Sequence, residues 1–197
     1  HGVELGGAQN ELVEFLEKAD IPAARTLLGL SALPSDHPLN VGMLGMHGSY
    51  APNVMTQQAD VIIAIGMRFS DRVTGRLDTY AKQAKIIHLD IDNVEIDKNV
   101  KTDVSVVGDC KMSLPAITRL LNKNEHTEWI EGFKPYLQQE TEKVIEPAIH
   151  PKEGPLLMGE VVNAVAEATD GEAVLVNDVG QNQMFSCRYF KYKRKLS

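Results

Sequence analysis

Cysteine is nearly absent from this chain of 197 residues, and the two present, Cys110 and Cys187, stand too far apart to form a metal-ligand or redox spacing. The simplest setting for such a chain is a reduced, cytosolic one. Long apolar runs are also lacking: none approaches the ~18–20 residues needed to span a bilayer. The opening His1-Gly2-Val3-Glu4 has no basic stretch followed by a long apolar one, so no signal peptide is expected there, and the missing initiator Met points to a piece of a longer chain. Positive charge is in deficit, with 20 Lys and Arg against 27 Asp and Glu, a net of −7. This excludes broad affinity for nucleic acid or an anionic membrane, although a few arginines can still form a local cationic pocket. What is there is ordinary: 43% hydrophobic and 24% charged residues suit a globular protein with a full core. The length allows one large domain, or one domain and part of another.

The hydrophobic periodicity supplies the elements. Leu12, Val13, Leu16 and Ala19, widened by Phe15, predict an amphipathic helix over Ala8–Ala19. Ile21–Leu28 reads as a short strand with its loop, ended by Gly29, and Ser31–Asn40 is turn-rich because of Pro34 and Pro38. Ser49 is a fair N-cap for a helix with Pro52 in its first turn and Asn53–Ala59 as its body. Val61–Ile65 is a continuous apolar, β-branched run, as expected of a central parallel strand buried on both faces. A short helix around Arg76–Ala81, a strand from Lys85 to Asp92 and another over Val104–Val107 follow. Asp109 can then cap a helix over Cys110–Leu121.

This alternation predicts a doubly wound, Rossmann-like α/β domain with a parallel sheet over residues 1–121. Residues 122–154 are polar, charged and broken by Pro135, Pro147 and Pro151, and read as a connector holding one amphipathic helix kinked near Pro135. From residue 155 to 197 a second α/β domain begins and is incomplete, with a helix over Leu156–Ala168 and an apolar strand over Ala173–Asn177.

Two stretches carry the functional signal. In VGMLGMHGSYAPN (Val41–Asn53) three glycines, Gly42, Gly45 and Gly48, space Met43, Met46 and His47. In IIAIGMRFSDRVTG (Ile62–Gly75) Arg68 and Arg72 follow the end of a strand. Glycines let backbone approach a ligand closely, and arginines beyond a strand's carboxyl end face the crevice where open α/β sheets bind ligands. A nucleotide-cofactor site is the reading this supports. Gly6-Gly7 before the first long helix is either an anion site or, more simply, a turn. Asp90 at a strand end can accept from ribose hydroxyls or serve a turn. Met43 and Met46 also suit a core, as do His47 and His88, and Asp60, Asp90 and Asp92 are too dispersed for a metal cluster. The basic and aromatic run Lys191–Lys195 is read as a solvated segment.

SALPSDHPLNVGMLGMHGSY, IGMRFSDRVTGRLD, IIHLDIDNVEIDKN and NDVGQNQM, in this order, resemble the acetolactate (acetohydroxyacid) synthase large-subunit family of thiamine-diphosphate enzymes over nearly the whole chain. The resemblance implies a central FAD-binding domain, with Gly6, Gly7, Thr26, Leu27, Met46, His47, Gly66, Arg68, Arg72, Val73, Asp90 and Asp109 at the flavin dinucleotide. Asp71 and Arg72 would stand at the mouth of the active site, and Val179, Gly180, Gln181 and Asn182 would contact thiamine diphosphate. It further implies a 2-oxoacid substrate, condensation of two pyruvates or of pyruvate with 2-oxobutyrate in branched-chain amino-acid biosynthesis, a homodimer or tetramer, a small regulatory subunit and a cytoplasmic location. This chain departs from the family pattern at Asn182, where His is usual, and at Ser70, where an acid is usual. The family's catalytic glutamate and its Mg²⁺-binding segment match nothing in these residues, so no catalytic base or metal ligand is assigned and these residues alone are expected to be inactive. Two other readings stay open: a related thiamine-diphosphate enzyme such as glyoxylate carboligase or a 2-oxoacid oxidase, and a non-catalytic FAD- or NAD-binding module. The absence of a GxGxxG turn between strand and helix disfavours NAD.

Overall fold

Runs of β-branched and aliphatic residues pair in parallel, with helices packed on one face of the larger strand group and a cluster of turns on the other. The computed structural model describes residues 1–193. In chain order these form α1 (Gly2–Leu5), α2 (Gln9–Ala19), β1 (Ala23–Arg25), β2 (Asn40–Met43), α3 (Tyr50–Thr56), β3 (Val61–Ile65), α4 (Asp71–Thr74), β4 (Lys85–Asp90), β5 (Val104–Val107) and α5 (Cys110–Leu120). After them come α6 (Thr127–Glu131), α7 (Lys134–Glu140), a π-helical turn (Thr141–Ile145), α8 (Glu146–Ile149), α9 (Met158–Ala168) and α10 (Gln181–Tyr189). The architecture is the expected α/β one with parallel strands.

The strands form two hydrogen-bonded groups, β1–β2 and β3–β4–β5. The facing edges of β1 and β3 line a shared cavity of about 700 Å³. Hydrogen bonding thus places β4 between β3 and β5, while β1 and β2 pair apart from them across that cavity.

The pleat sends alternate residues to opposite faces. Ile63, Ile65, Ile87 and Leu89 join Phe15 and Leu16 of α2 and Leu114 of α5 in the main core. Ile62, Ala64 and Ile86 face a second cluster with Phe69, Tyr80 and Ala81. Leu114 and Leu89 are almost completely buried. The helix α5 starts as expected, the Asp109 carboxylate accepting from the Lys111 amide at 2.9 Å.

Several local expectations change. The strand expected from Ile21 to Leu28 shortens to Ala23–Arg25, and Leu27–Gly29 forms a 3-10 turn. Among the described residues Arg76–Ala81 forms turns rather than a helix. The expected central strand Val61–Ile65 lies at the open edge facing the cavity, and β4 is central to its group. The connector holds three α-helices and a π-helical turn rather than one kinked helix: α6 stops at Glu131, four residues before Pro135, whose ring excludes the carbonyl four residues earlier from a continuing helix. Phe133 at the break fills a pocket against Val41, Ala51 and Met55. Ala173–Asn177 is not paired as a strand among the described residues, although Ala173 and Leu175 still pack against Leu30, Met43, Ala166, Phe190 and Tyr192. Of the basic run Lys191–Lys195, Arg194 and Lys195 lie outside the described residues.

Burial pushes the Tyr80 phenol up to about 12. The folded state thus favours the neutral phenol, and the resulting stability, complete below the ordinary value near 10, is lost as pH rises toward 12. Tyr80→Phe should lose less stability than the parent between pH 10 and 12 in urea titrations; parallel losses would contradict the burial of this hydroxyl.

Candidate functional site

Each strand reaches, at its carboxyl end or within the next three residues, a residue expected from the sequence to meet a cofactor (Thr26, Met46, Gly66, Asp90 and Asp109), and short backbone bonds link several of these segments. The Gly66 amide after β3 donates to Leu89 O of β4 at 2.8 Å, and the Gly108 amide after β5 donates to Asp90 O at 2.9 Å. Gly2 donates to Gly66 O at 3.0 Å. The approach is so close that a Cβ on Gly66, whose φ is +57°, would lie 2.6 Å from Gly2 Cα. Only glycine serves there. On the other side of the cavity the Leu44 amide donates to Arg25 O at 2.8 Å, and Met46 donates to Arg72 O at 2.8 Å. Asn53 locks this second loop, its Oδ1 accepting from the Gly45 amide at 3.0 Å and its Nδ2 donating to Gly45 O at 2.9 Å.

The result is a rim beside the gap between β1 and β3, at the carboxyl ends of the strands, where open α/β sheets receive ligands. Thr26, Met46, His47, Gly66 to Ser70 and Asp109 lie on connecting segments of this rim, Leu27 in a 3-10 turn, Asp71 to Val73 in α4, and Asp90 at the end of β4. Gly6 joins it through α5, since a Cβ there would sit 3.1 Å from Asp109 Oδ1. The amides of Gly6 and Gly7 are already spent on Gly2 O (2.9 Å) and Glu4 O (3.0 Å), so the pair forms a closed turn and offers no free donor to an anion.

The side chains separate into held and free groups. Met43 is core, whereas Met46 is 63% exposed and His47 is exposed with no hydrogen-bond partner among the described residues. Asp71 and Arg72 pair with each other at 2.9 Å on the surface. Arg68 is exposed and has no ion pair among the described residues. Asp90 accepts from the Asp92 amide at 3.0 Å through Oδ1, leaving Oδ2 only a distant His88 Nε2 at 3.9 Å. His88, fully buried as expected of a core residue, donates from Nε2 to Met67 O at 2.9 Å and meets the Phe69 ring edge-on at 5.2 Å. It thereby fixes the loop that presents Arg68. Farther off, Val179 and Gly180 precede α10, and Gln181 and Asn182 open it, all exposed. The first intrahelical bond runs from the Met184 amide to Gly180 O, so the preceding amides stay available at a positive helix end.

Sequence reasoning missed four contributors. Asn53 was read only as helix body, and Lys111, which donates to Gly7 O at 3.0 Å, as part of α5. Arg25 donates to Leu33 O at 3.0 Å and to Leu30 O, bracing the loop after β1. Burial pulls its guanidinium down to about 10, against the raising fields of Tyr192 and Glu4. Its place at the last position of β1 was the available signal. The fourth, the pair of Glu140 with Arg188, spans 48 residues and leaves no sequence pattern.

Among the described residues no three His, Cys, Asp or Glu side chains are grouped to hold a metal ion, and no helix is long and apolar enough to cross a membrane. The rim itself is testable. Gly45 has φ +113°, and a Cβ there would lie 2.6 Å from Arg72 O. Gly45→Ala should cost about 1–3 kcal/mol through backbone strain and speed limited proteolysis within residues 66–75; an unchanged cleavage rate would mean that the two loops are not interlocked.

Residues 1–117 match the family described as the thiamine pyrophosphate enzyme, central domain. The chain is 40% identical over 206 residues to the probable acetolactate synthase large subunit of Methanocaldococcus jannaschii, covering 100% of this chain and 34% of that protein. It is 38% identical over 193 residues to the acetolactate synthase large subunit of Lactococcus lactis, covering 98% and 33%. It is 38% identical over 200 residues to the chloroplastic acetolactate synthase of Arabidopsis thaliana, covering 96% and 29%. The chain spans about a third of the length of the curated relatives it matches. With the matched region carrying the parallel sheet and all the strand-end loops of the rim, the chain belongs to the thiamine pyrophosphate enzyme family through its central domain.

Proposed function

We propose that this chain is the FAD-binding central part, with the opening of the thiamine-diphosphate-binding part, of an acetolactate synthase large subunit. In this reading residues 1–121 hold FAD, 122–154 connect, and 155–197 begin the diphosphate-binding domain, its last four residues lying outside the described ones. The observation that carries it is the rim: segments at the carboxyl ends of the two parallel strand groups gather beside one cavity with the residue types a flavin dinucleotide requires.

The residues present fit that group. Arg68, with no ion pair among the described residues, is a cation for the pyrophosphate, and the second oxygen of Asp90 would accept from ribose hydroxyls. Exposed Leu27 and Met46 offer apolar surface for the ring, and Asp109 closes the far side while capping α5. The closed turn at Gly6-Gly7 contributes close approach rather than donors. Val73 holds the floor of the Arg72 loop against Gly45, and Asp71 and Arg72 face outward at the mouth, where a 2-oxoacid would enter. At Gly180–Asn182 the helix amides suit a diphosphate, with Asn182 adding a neutral hydrogen-bonding side chain.

In the whole protein thiamine diphosphate, held with Mg²⁺, supplies the electron sink for condensing pyruvate with a second 2-oxoacid and releasing CO₂. This chain's residues orient the cofactors and exclude water, and FAD shapes the site without net redox change. The reading extends to a homodimer or tetramer, a small regulatory subunit, a cytoplasmic location and a place in isoleucine and valine biosynthesis.

Two measurements check it. In the full-length protein Arg68→Ala should weaken FAD binding by about 1.5–3 kcal/mol, the worth of a hydrogen bond to a charged group; unchanged flavin affinity would remove Arg68 from the pyrophosphate. With pyruvate, thiamine diphosphate and Mg²⁺ the full-length protein should release acetolactate. Tartronate semialdehyde formed from glyoxylate instead would make it a glyoxylate carboligase.

A further inference from the structure

A polar link joins the two regions assigned above to different cofactors. Glu140, the last residue of α7, is almost fully buried. Its Oε2 accepts at 2.8 Å from the amide of Tyr50, the first residue of α3, directly after the loop of Gly45 to Ser49. Its Oε1 accepts from Arg188 Nη2, and Arg188 Nη1 donates to Gly48 O at 3.4 Å. One arginine thus touches both the loop that presents Met46 and His47 and the carboxylate that holds the start of α3.

Arg188 lies on α10, the helix whose first residues are Gln181 and Asn182. Seven residues separate Arg188 from Gln181, two helical turns, so the two ends move together as one rigid element. The π-helical turn Thr141–Ile145 follows Glu140 directly, and such turns are frequent at functional sites. Arg188 Nε is buried without a partner. Burying an ion pair while leaving a donor unmet is poor economy for stability alone, and such groups are best attested where they fix a register.

We propose that Glu140 and Arg188 are positioning residues that hold the start of α10 in register with the loop of Gly45 to Ser49, so that FAD at the rim and the diphosphate at Gly180–Asn182 strengthen each other's binding. The inference rests on the cofactor reading given under Proposed function. Coupling of this kind is reciprocal: whatever factor one cofactor adds to the other's affinity is returned.

The test measures FAD affinity of the full-length protein by flavin fluorescence, without and with saturating thiamine diphosphate and Mg²⁺. The parent should bind FAD about tenfold tighter with thiamine diphosphate present, within the usual range for coupled sites. Arg188→Gln and Glu140→Gln should each cut that factor to about threefold or less, and the double variant should lose no more than either single one. Arg188→Lys keeps the charge without the two-pronged donor set, so it should retain the fold and give an intermediate factor. A merely structural contact would lower the melting temperature and both affinities yet leave the coupling factor at the parent value, and that result in the Lys and Gln variants overturns the proposal. So does a parent that binds both cofactors without coupling. A parent that takes up no FAD under either condition would instead sink the cofactor reading itself, and this inference with it.

Discussion

The pairing of β4 with a parallel strand on each side is the constraint on which the rest of the structure depends. Its register sets Ile65 beside Leu89 and Asp90 beside Val107, so the carboxyl ends of three strands come out level. Parallel pairing demands crossover connections, and the one from β3 to β4 carries the turn cluster of Phe69 and Tyr80 to one face, while α2, before β1, and α5, after β5, cover the other. Because strand side chains alternate, a slip of one residue would turn His88 toward Leu114 and expose Leu89 to the wrong face. The buried bond from His88 to Met67 O opposes such a slip on one side, and the main core opposes it on the other.

Level strand ends bring loops together, but loops of ordinary residues would collide. The collision is avoided at two places. Gly66 passes Gly2 with its backbone nearly touching, and Gly45 passes Arg72 in the same way. Each contact ties a loop from one side of the cavity to a neighbouring segment through main-chain bonds, which do not depend on side-chain rotamers. The side chains of Arg68, Met46 and His47 are consequently left facing solvent by a rigid frame, the arrangement expected of a site that is preformed rather than assembled by its ligand.

Whatever depended on local periodicity or chain-local chemistry could be read from the sequence. The cap at Asp109, the helix from Gln9 to Ala19 and the strand β4 follow from residues within a few positions of one another. The gathering of candidate site residues at strand ends was legible because glycines and arginines stand immediately after apolar runs. What failed depended on partners. Ala173–Asn177 has the composition of a strand, yet a strand needs a neighbour, and among the described residues none is paired with it. Val61–Ile65 has the composition of a central strand, yet its place beside the cavity follows from where β1 settles. At Arg76 an exposed pair with Asp78, two residues on, joins side chains that a helix would point apart. Met43 and Met46 were indistinguishable by spacing, and only the left-handed turn at Gly45 sends one inward and the other out.

The segment after the connector shows how apolar and polar contacts divide their tasks. Phe190 and Tyr192 close on Leu30, Met43 and Ala166, and this burial supplies attraction without specifying an angle, since dispersion and hydrophobic contact are nearly non-directional. Direction comes from hydrogen bonds: Ser35 donates its amide to Tyr192 O at 2.8 Å while its Oγ accepts from the Tyr192 amide at 2.9 Å. At the other end of α10's footprint, Arg188 reaches Glu140 and Gly48. Two separated polar anchors on one helix and its tail define an orientation, whereas one would leave a pivot. The loop after β1, the loop after β2 and the start of α10 are therefore held as one unit, and a shift at any of them must be answered at the other two.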